Sequence, residues 1–299
     1  MKDRPFSSHM KFRGHHAVTR SLVEGLDKIG ASYNYNPSRF GEVADTVHVV
    51  GGIRALRQMI RLKRQGRIKK LFAGPNIVVF STEANSILAS PEIDGVVNHC
   101  DFACEFWAYD HPRLRDRCFR WPAGVDIHYW QPDPTVNRDH ILIFDKRREE
   151  DDADRVKPYV EYLRGQGLQV EVLVRCGKQG YTQNQYRALL QRSSLMLGFT
   201  VGSESQGIAW AESWSTDVPT LILKNTSNVY QGRRFDCSTA PYLCSQSGLF
   251  FDDLEDFKNQ FNYWATHREQ FTPRAWILEN MSDEVCADRL YRYLTAVDT

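Results

Sequence analysis

Short apolar runs and longer amphipathic segments alternate along most of this chain. The apolar runs, which are typical of buried strands, lie at residues 46–50, 69–73, 77–80, 95–99, 140–145, 168–174, 194–201, 218–224 and 248–251. Segments with the helical spacing of apolar residues lie at 16–30, 52–66, 102–111, 152–167, 184–193, 206–216, 252–266 and 283–297. This order of elements predicts an α/β protein built on parallel sheets.

The alternation is interrupted at residues 120–140, where several prolines exclude a long helix and favour an extended connection. We therefore predict two domains, 1–136 and 137–280, followed by a terminal helix in 281–299. Ligands of open α/β sheets bind beyond the carboxyl ends of the strands, so the loops that follow the strands are where binding residues are expected.

The composition indicates where in the cell the protein is expected. The chain has 299 residues, and its seven cysteines form no CxxC pair, which indicates neither a disulfide framework nor a zinc site. No apolar run reaches the roughly 20 residues of a membrane helix, and the N-terminus has no apolar core of a signal peptide. We expect a cytoplasmic protein with reduced thiols, able to associate with a membrane surface.

Two glutamates flank the start of a predicted helix behind an apolar strand. Glu204 lies in the loop after strand 194–201, and Glu212 lies further along the helix that begins near Gln206 and Gly207. The free N–H groups and the positive dipole end of a helix start favour an anionic ligand such as a phosphate. A carboxylate at Glu212 can accept hydrogen bonds from the two hydroxyls of a ribose. Alternatively, Glu204 caps the helix and Glu212 is solvated, while Trp210 and Trp214 pack in the core.

The same stretch resembles a motif of retaining GT-B glycosyltransferases, broadly family 4 (glycosyl transferases group 1). Glu204, Gly207, Glu212 and Pro219 match that motif, whereas Ser213, Ser215 and Asp217 depart from it. A second stretch, WPAGVDIHYWQP at 121–132, is similar to the family segment that leads into the nucleotide-binding domain. The two motifs follow each other in the family's order and at the family's spacing.

The resemblance implies a GT-B fold, in which two Rossmann-like domains with parallel sheets face each other across a cleft. Residues 1–136 would form the acceptor-side domain and 137–280 the nucleotide-sugar-binding domain. The terminal helix in 281–299 would pack back toward the N-terminal domain. The implied activity is a hexosyltransferase-type transfer of a sugar from a nucleotide-diphosphate sugar, with retention and without a cofactor or a bound metal.

The resemblance also implies roles for residues of the C-terminal domain. Glu204 would be catalytic through contact with the transferred sugar, and Glu212 would bind the donor ribose. Lys146 and then Arg148 would bind the diphosphate, because alternate side chains leave a strand end on the same side. The remaining donor-binding candidates are Gln206, Gly207 and Tyr181, the last of these in the loop that would stack on the base.

The N-terminal domain supplies weaker matches. Gly14 takes the place of the glycine-rich loop that leads into the first helix in the family, and His16 follows it. Asn76, in the turn FAGPN, is a candidate for contact with the sugar or the acceptor, and an ordinary Pro-Asn turn is the alternative.

The acidic motif DAD at 152–154 is the pattern that binds a metal in other glycosyltransferases. It lies at a predicted helix start, where acidic residues interact favourably with the helix dipole, and FFDDLEDF at 250–257 has the same character. We interpret both as capping segments and predict no metal site. The pair Cys100 and Cys104 is interpreted as buried packing.

Residues 54–70 hold eight Lys and Arg and no acidic residue. Apolar positions in this segment give it a core-facing side, and the remaining positive charge indicates an anionic acceptor or surface. The two candidates are a membrane lipid and DNA, contacted through Arg54, Arg57, Arg61 and Arg64. A solvated basic face is the alternative.

The predicted function is therefore sugar transfer from a nucleotide-diphosphate sugar to an acceptor that the sequence does not identify. Modification of bases in DNA by a glycosyltransferase remains open, as does a related epimerase or phosphorylase. From another class, a degenerate GT-B binding protein without turnover also remains open, because the glycine-rich N-terminal loop is atypical.

Overall fold

The computed structural model describes residues 14–37, 43–177 and 180–296. These residues form two compact units. Residues 14–124 and 283–296 form what we call the N-terminal unit, and residues 125–282 form the C-terminal unit. The division after Gly124 falls inside the proline-rich segment 120–140, and the last helix belongs to the N-terminal unit.

Up to residue 124 the elements are α1 His15–Lys28, β1 Thr46–Gly51, α2 Ile53–Arg64, β2 Lys70–Asn76, the helical turn α3 Glu83–Ser86, β3 Gly95–Asn98, α4 Asp101–Asp110 and β4 Cys118–Arg120. The C-terminal unit contains β5 His140–Arg147, α5 Lys157–Gly165, β6 Gln169–Cys176, α6 Gln183–Gln191, β7 Ser193–Phe199, α7 Ile208–Ser215, β8 Thr220–Leu223, β9 Ser227–Tyr230, β10 Arg233–Asp236, β11 Gly248–Phe251, α8 Leu254–Thr266 and α9 Pro273–Asn280. The last helix is α10 Asp283–Thr295.

Each unit is built on a parallel sheet. The N-terminal unit has a four-stranded sheet in the order β1-β2-β3-β4, and the C-terminal unit has a five-stranded sheet in the order β11-β8-β7-β5-β6. Strands β9 and β10 form a separate antiparallel pair. The predicted α/β class with parallel sheets is confirmed.

The central strands are buried on both faces. In β5 the run Ile141–Phe144 is at most 2% exposed, which explains why this strand reads as a continuous apolar run and does not alternate. Helices cover the sheets with one apolar side each. In α2, for example, Leu56 and Ile60 lie one turn apart in the core, and the basic residues face outward.

Helices α1 and α10 pack closely in the N-terminal unit. Gly25 of α1 lies so near α10 that an added Cβ would come within 2.3 Å of the carbonyl oxygen of Asp283. The buried carboxylate of Asp283 accepts hydrogen bonds from Arg20 at 2.9 and 3.3 Å. Trp121, which follows β4, donates its indole N–H to the carbonyl oxygen of Cys286 at 2.9 Å.

The structure corrects several predicted elements. Residues 77–80 are not a strand, because β2 already extends to Asn76 and the side chains of Ile77 and Phe80 then turn into the interior. Helix α5 begins at Lys157 and not at residue 152, with Pro158 in its first turn, where a missing N–H costs nothing. Strands β4, β9 and β10 and helix α9 were not predicted.

The predicted capping segment at 250–257 and two predicted packing roles are confirmed. Asp253 caps α8 by accepting from the N–H groups of Glu255 and Asp256, both at 2.9 Å. Trp210 and Trp214 are core residues, and the thiols of Cys100 and Cys104 are buried.

Candidate functional site

The strand order of the C-terminal sheet reverses beside β5. Strand β6 lies on one side of β5, whereas β7, β8 and β11 lie on the other. Connections on the two sides of such a reversal diverge, and ligands of open α/β sheets bind in the resulting crevice beyond the carboxyl ends of the strands. The residues that end β5 and follow β7 therefore define the candidate site.

Lys146 and Glu204 meet at this point. The Lys146 ammonium, near the end of β5, donates to Oε1 of Glu204. Thr200, directly after β7, donates its hydroxyl to the same carboxylate oxygen at 2.8 Å. The two charged side chains are 27% and 17% exposed, so a ligand can reach both. The structure thus brings together two site residues that the sequence predicted separately.

The loop between β7 and α7 is held by its backbone. The N–H of Glu204 donates to the carbonyl oxygen of Ser238 at 2.9 Å, and Asn225 donates its side-chain N–H to the carbonyl oxygen of Gly202 at 2.6 Å. Glu204 is therefore a loop residue with side-chain partners at the site. No side-chain cap is present at Gly207, the residue that precedes the first turn of α7.

Gly207 has a left-handed backbone, with φ 64° and ψ 47°. An added Cβ there would lie 2.5 Å from Cδ1 of Trp210, so both the conformation and the space require glycine. The N–H of Trp210 donates to the carbonyl oxygen of Gly207 at 3.0 Å, whereas the N–H groups before it, in the first turn of α7, have no place in the helix's own hydrogen-bond pattern. Such free donors favour an anion. Gln206, just before Gly207, is 7% exposed.

Glu212 is buried in α7, at 7% exposure, so the alternative that it is a solvated helix residue is wrong. Burial is the main cause of the raised pKa values of Tyr129 and Tyr186, and the nearby Glu212 carboxylate raises both pKa values further. Glu212 is therefore a buried acidic group close to the side chains of Tyr129 and Tyr186.

Aromatic side chains surround Tyr181. Its ring centroid lies 5.7 Å from that of Phe144 and 5.2 Å from that of Tyr186. Tyr181 is half-buried, which leaves part of the ring accessible for stacking.

A further aromatic contact in this unit was missed by sequence reasoning. The Arg187 guanidinium lies 4.9 Å from the ring centroid of Tyr129, and the Tyr129 hydroxyl donates to Asn184 at 2.6 Å. Tyr129 belongs to the WPAGVDIHYWQP segment, and the resemblance of that segment to the family could have drawn attention to it.

The other cations after β5 have local partners. Arg148 is 57% exposed on its side chain and lies 3.6 Å from Glu150, so the structure does not place it at the Lys146–Glu204 pair. Arg147 lies 3.6 Å from the buried carboxylate of Asp145. Arg155, which the sequence analysis did not single out, donates to Asp145 at 2.6 and 2.8 Å and to the carbonyl oxygen of Lys146 at 2.7 Å. Arg155 and Asp145 therefore hold the strand end that carries Lys146.

Three predicted site residues lie in the N-terminal unit. Asn76 ends β2, and its side-chain Nδ2 is buried without a hydrogen-bond partner among the described residues. Gly14 precedes α1 with φ 55°, and His16 is an exposed residue of the first helical turn. Residues 11–13, which precede Gly14 in the segment compared with the family's glycine-rich loop, lie outside the described residues.

The basic segment 54–70 is less uniformly charged than its sequence indicates. Lys63 pairs with Asp94, Arg64 with Glu92 at 2.6 Å, and Lys69 with Asp45 at 2.6 Å. Not all of the eight cations are therefore uncompensated, because the fold brings in carboxylates that are distant in sequence. Within the described part of the chain, Arg54, Arg57 and Arg61 have no ion pair.

The described residues contain neither a candidate metal site nor a helix that could span a membrane. No group of three or more His, Cys, Asp or Glu side chains there could hold a metal ion. In the same ranges, no helix is both long and apolar enough to cross a bilayer.

Comparison with known proteins identifies the fold. No protein-family model matches the sequence, and no curated protein matches it. Solved structures do match. TarM is 12% identical with a TM-score of 0.54, covering 93% of this chain and 58% of TarM. The lipopolysaccharide outer core galactosyltransferase WaaB is 10% identical with a TM-score of 0.55, covering 92% of this chain and 79% of WaaB.

A third match is HepE of Anabaena, solved in complex with UDP and glucose. It is 11% identical with a TM-score of 0.52, covering 82% of this chain and 76% of HepE. This chain has the GT-B fold. The expected pair of Rossmann-like domains is confirmed, and at these identities the similarity extends to the fold alone. This GT-B chain spans 58% of the length of TarM.

Proposed function

We propose that this GT-B protein is a glycosyltransferase that moves a sugar from a nucleotide-diphosphate sugar to an acceptor. The observation that carries the proposal is the partly exposed Lys146–Glu204 pair. It lies where the strand order of the C-terminal sheet reverses, in the loop region before α7. An accessible cation, an accessible carboxylate and free helix N–H groups together suit the diphosphate and the sugar of such a donor. The UDP-bound state of HepE supports the same donor class.

Lys146 is the group that binds the diphosphate. When a diphosphate enters, its oxygens compete with Glu204 for the Lys146 ammonium, and the N–H groups at the start of α7 add further donors. Negative charge builds up on the leaving diphosphate during transfer, so a fixed cation there lowers the barrier. Arg148 is the second cation, and it reaches the diphosphate only if its side chain leaves Glu150.

Glu204 is the catalytic residue. Once the diphosphate has taken over Lys146, the Glu204 carboxylate is available to the transferred sugar, which it positions and whose developing positive charge it stabilises. In this proposal a hexose is transferred with retention of its anomeric configuration. The negative charge of the diphosphate is stabilised by Lys146 and the N–H groups at the start of α7, without a metal.

The nucleoside is bound by the neighbouring side chains. Glu212 accepts hydrogen bonds from the ribose hydroxyls, as acidic residues of dinucleotide-binding folds do. Tyr181 stacks on the base with the exposed part of its ring. Gln206 and Gly207 line the approach to the helix start, where the absence of a Cβ lets a phosphate come close to the backbone.

The acceptor is anionic or lies on an anionic surface, either a membrane lipid or DNA. The basis is the positive outer side of α2 with Arg54, Arg57, Arg61 and Arg64, of which the last is paired with Glu92. Asn76 and His16 are the acceptor-side residues of this proposal. Such a protein works in the cytoplasm and associates peripherally with its acceptor.

The test is release of nucleotide from a panel of UDP-, GDP-, ADP- and dTDP-sugars by Glu204→Gln and by wild type. Loss of one preorganised electrostatic group costs on the order of 100- to 1,000-fold in turnover, so we expect a loss of that size. Glu279→Gln, an exposed carboxylate of α9, is the matched control and should turn over like wild type. Turnover of Glu204→Gln near the wild-type rate would remove Glu204 from the mechanism.

A further inference from the structure

The N-terminal unit contains a cavity of about 720 Å³ between α2 and the segment 84–90. Its volume is within the range of small-molecule sites, about 300–1,000 Å³. One wall is the outer side of α2, and the other wall is the turn α3 with the residues that follow it. The side chains that carry the argument are Arg57, Arg61, Arg64, Asn85 and Ser86.

The α2 wall is positively charged. Three of the lining residues are arginines, and none is acidic. Arg64 is already engaged by Glu92, at 2.6 Å. Arg57 and Arg61, one helical turn apart, have no carboxylate within 4.0 Å among the described residues. Residues with this spacing have Cβ atoms about 5–6 Å apart, so two guanidinium groups can reach one ligand group.

The opposite wall offers neutral donors on an unusual backbone. The side chains of Asn85 and Ser86 make no hydrogen bond to any described residue. Ala84, Asn85 and Ser86 have φ values of 53°, 61° and 54°, three left-handed residues in succession, none of them glycine. Such backbone conformations are strained for residues other than glycine, and they are concentrated at ligand sites.

We propose that this cavity binds the phosphate group of a ligand through Arg57 and Arg61, with Asn85 and Ser86 as additional donors. The planar guanidinium fork matches the oxygens of a phosphate in a bidentate manner, and the charges of Arg57 and Arg61 have no carboxylate partner among the described residues. Arg54 does not line the cavity and lies outside this site. The inference rests on the N-terminal unit alone and does not depend on the proposed sugar transfer.

A water-soluble phosphate compound and the headgroup of a phospholipid share this chemistry, so the experiment has one arm for each. The first arm is calorimetric titration with inorganic pyrophosphate at low salt. It is performed in a Lys146→Ala background, so that binding at the proposed diphosphate site cannot supply the signal. The second arm is co-sedimentation with phosphatidylcholine vesicles, with and without phosphatidic acid.

The test variant in both arms is Arg57→Gln with Arg61→Gln. Its matched control is Arg113→Gln with Arg289→Gln, which removes the same charge from exposed positions of the same unit outside the cavity. Each charge-assisted contact is worth about 1.5–3 kcal/mol, so we expect the cavity variant to bind at least about tenfold more weakly in one arm. The control should stay within about twofold of its parent, because exposed charges distant from the ligand are screened.

The arm in which the cavity variant loses binding identifies the source of the phosphate. Equal binding by the cavity variant and its parent in both arms would overturn the proposal. An equal loss in the control variant would overturn it as well, since the effect would then be one of general positive charge.

Discussion

At the scale of single residues, the environment of each ionisable side chain separates groups that can act from groups that only support the fold. The Glu204 carboxylate has two side-chain donors, from Lys146 and Thr200, and remains partly exposed. The Asp145 carboxylate is fully buried and held by Arg155 at 2.6 Å. The first is in a position to exchange partners with a ligand, and the second fixes the strand end beneath it.

His99 gives a prediction for pH at this scale. It is 6% exposed, and burial, only partly offset by the Trp121 carbonyl oxygen, lowers its pKa from 6.5 to about 4. Between these values the unfolded chain binds a proton that the folded protein does not bind. Stability therefore falls as the pH is lowered from 6.5 toward 4, by up to roughly 3 kcal/mol at about 1.4 kcal/mol per pKa unit.

The measurement is urea unfolding between pH 7 and pH 5 for wild type, His99→Asn and His128→Asn. His99→Asn should have the flatter profile, although His48, whose pKa burial also lowers to about 4, keeps part of the slope. His128 is exposed, so its variant should follow wild type. An unchanged slope in His99→Asn would contradict this account of His99.

Sequence reasoning at this scale identified residue types better than partners. Lys146, Glu204 and Glu212 were singled out from local patterns, because a strand end, a loop and a helix start are local features, and their roles stay predictions. The partners of Lys63 and Arg64 were missed, since Asp94 and Glu92 lie far along the chain and only the fold brings them close.

At the scale of elements, the contact between α1 and α10 depends on a small residue. Helix α10 returns the end of the chain to the N-terminal unit, where the buried Asp283 carboxylate pairs with Arg20. This pair sits beside Gly25, which allows the two helix backbones to approach closely. Breaking a buried pair by removing one partner costs about 3–5 kcal/mol, so this contact is sensitive to single changes.

Gly25→Ala tests the close approach. Alanine favours an isolated helix over glycine by about 1 kcal/mol, but here the new Cβ would lie 2.3 Å from the Asp283 carbonyl oxygen. Overpacking of this kind costs about 1–3 kcal/mol, and we expect it to exceed the gain in helix propensity.

Gly165→Ala in α5 is the matched control, because no atom lies within 4 Å of its added Cβ. In chemical denaturation, the free energy of unfolding of Gly165→Ala should equal or exceed that of wild type, whereas that of Gly25→Ala should be lower. Stabilisation of both variants to the same extent would show that α1 and α10 can separate without cost.

The long periodic elements were predictable and the short ones were not. Strand β5 and helix α8 carry strong apolar patterns and were predicted at or near their bounds. Strand β4 has three residues, and β9 and β10 pair only with each other and carry little apolar signal. Residues 77–80 are as apolar as a strand, but they form an irregular segment in which Ile77 and Phe80 are buried and Val79 is exposed.

At the scale of the whole molecule, the alternating pattern was sufficient to predict two parallel α/β units, and solved structures about 10–12% identical share the GT-B fold. Strand order was not predictable from periodicity. The strand order reverses between β5 and β7, and Lys146 and Glu204 lie together at the carboxyl ends of these strands. The central claim is that this Lys146–Glu204 site binds the diphosphate of a nucleotide sugar.

The most direct measurement is thermal unfolding of wild type, Lys146→Ala, Glu204→Gln and the control Lys258→Ala with UDP, GDP, ADP and dTDP. A ligand at about 100 times its dissociation constant adds about 2.7 kcal/mol, which shifts the midpoint by several degrees. We expect wild type and Lys258→Ala to shift with one nucleotide family, and Lys146→Ala to lose most of that shift. Glu204→Gln should shift at least as much as wild type, because its neutral amide no longer competes for the Lys146 ammonium. An equal shift in Lys146→Ala and wild type, or no shift with any nucleotide, would contradict the assignment of the Lys146–Glu204 site as the donor site.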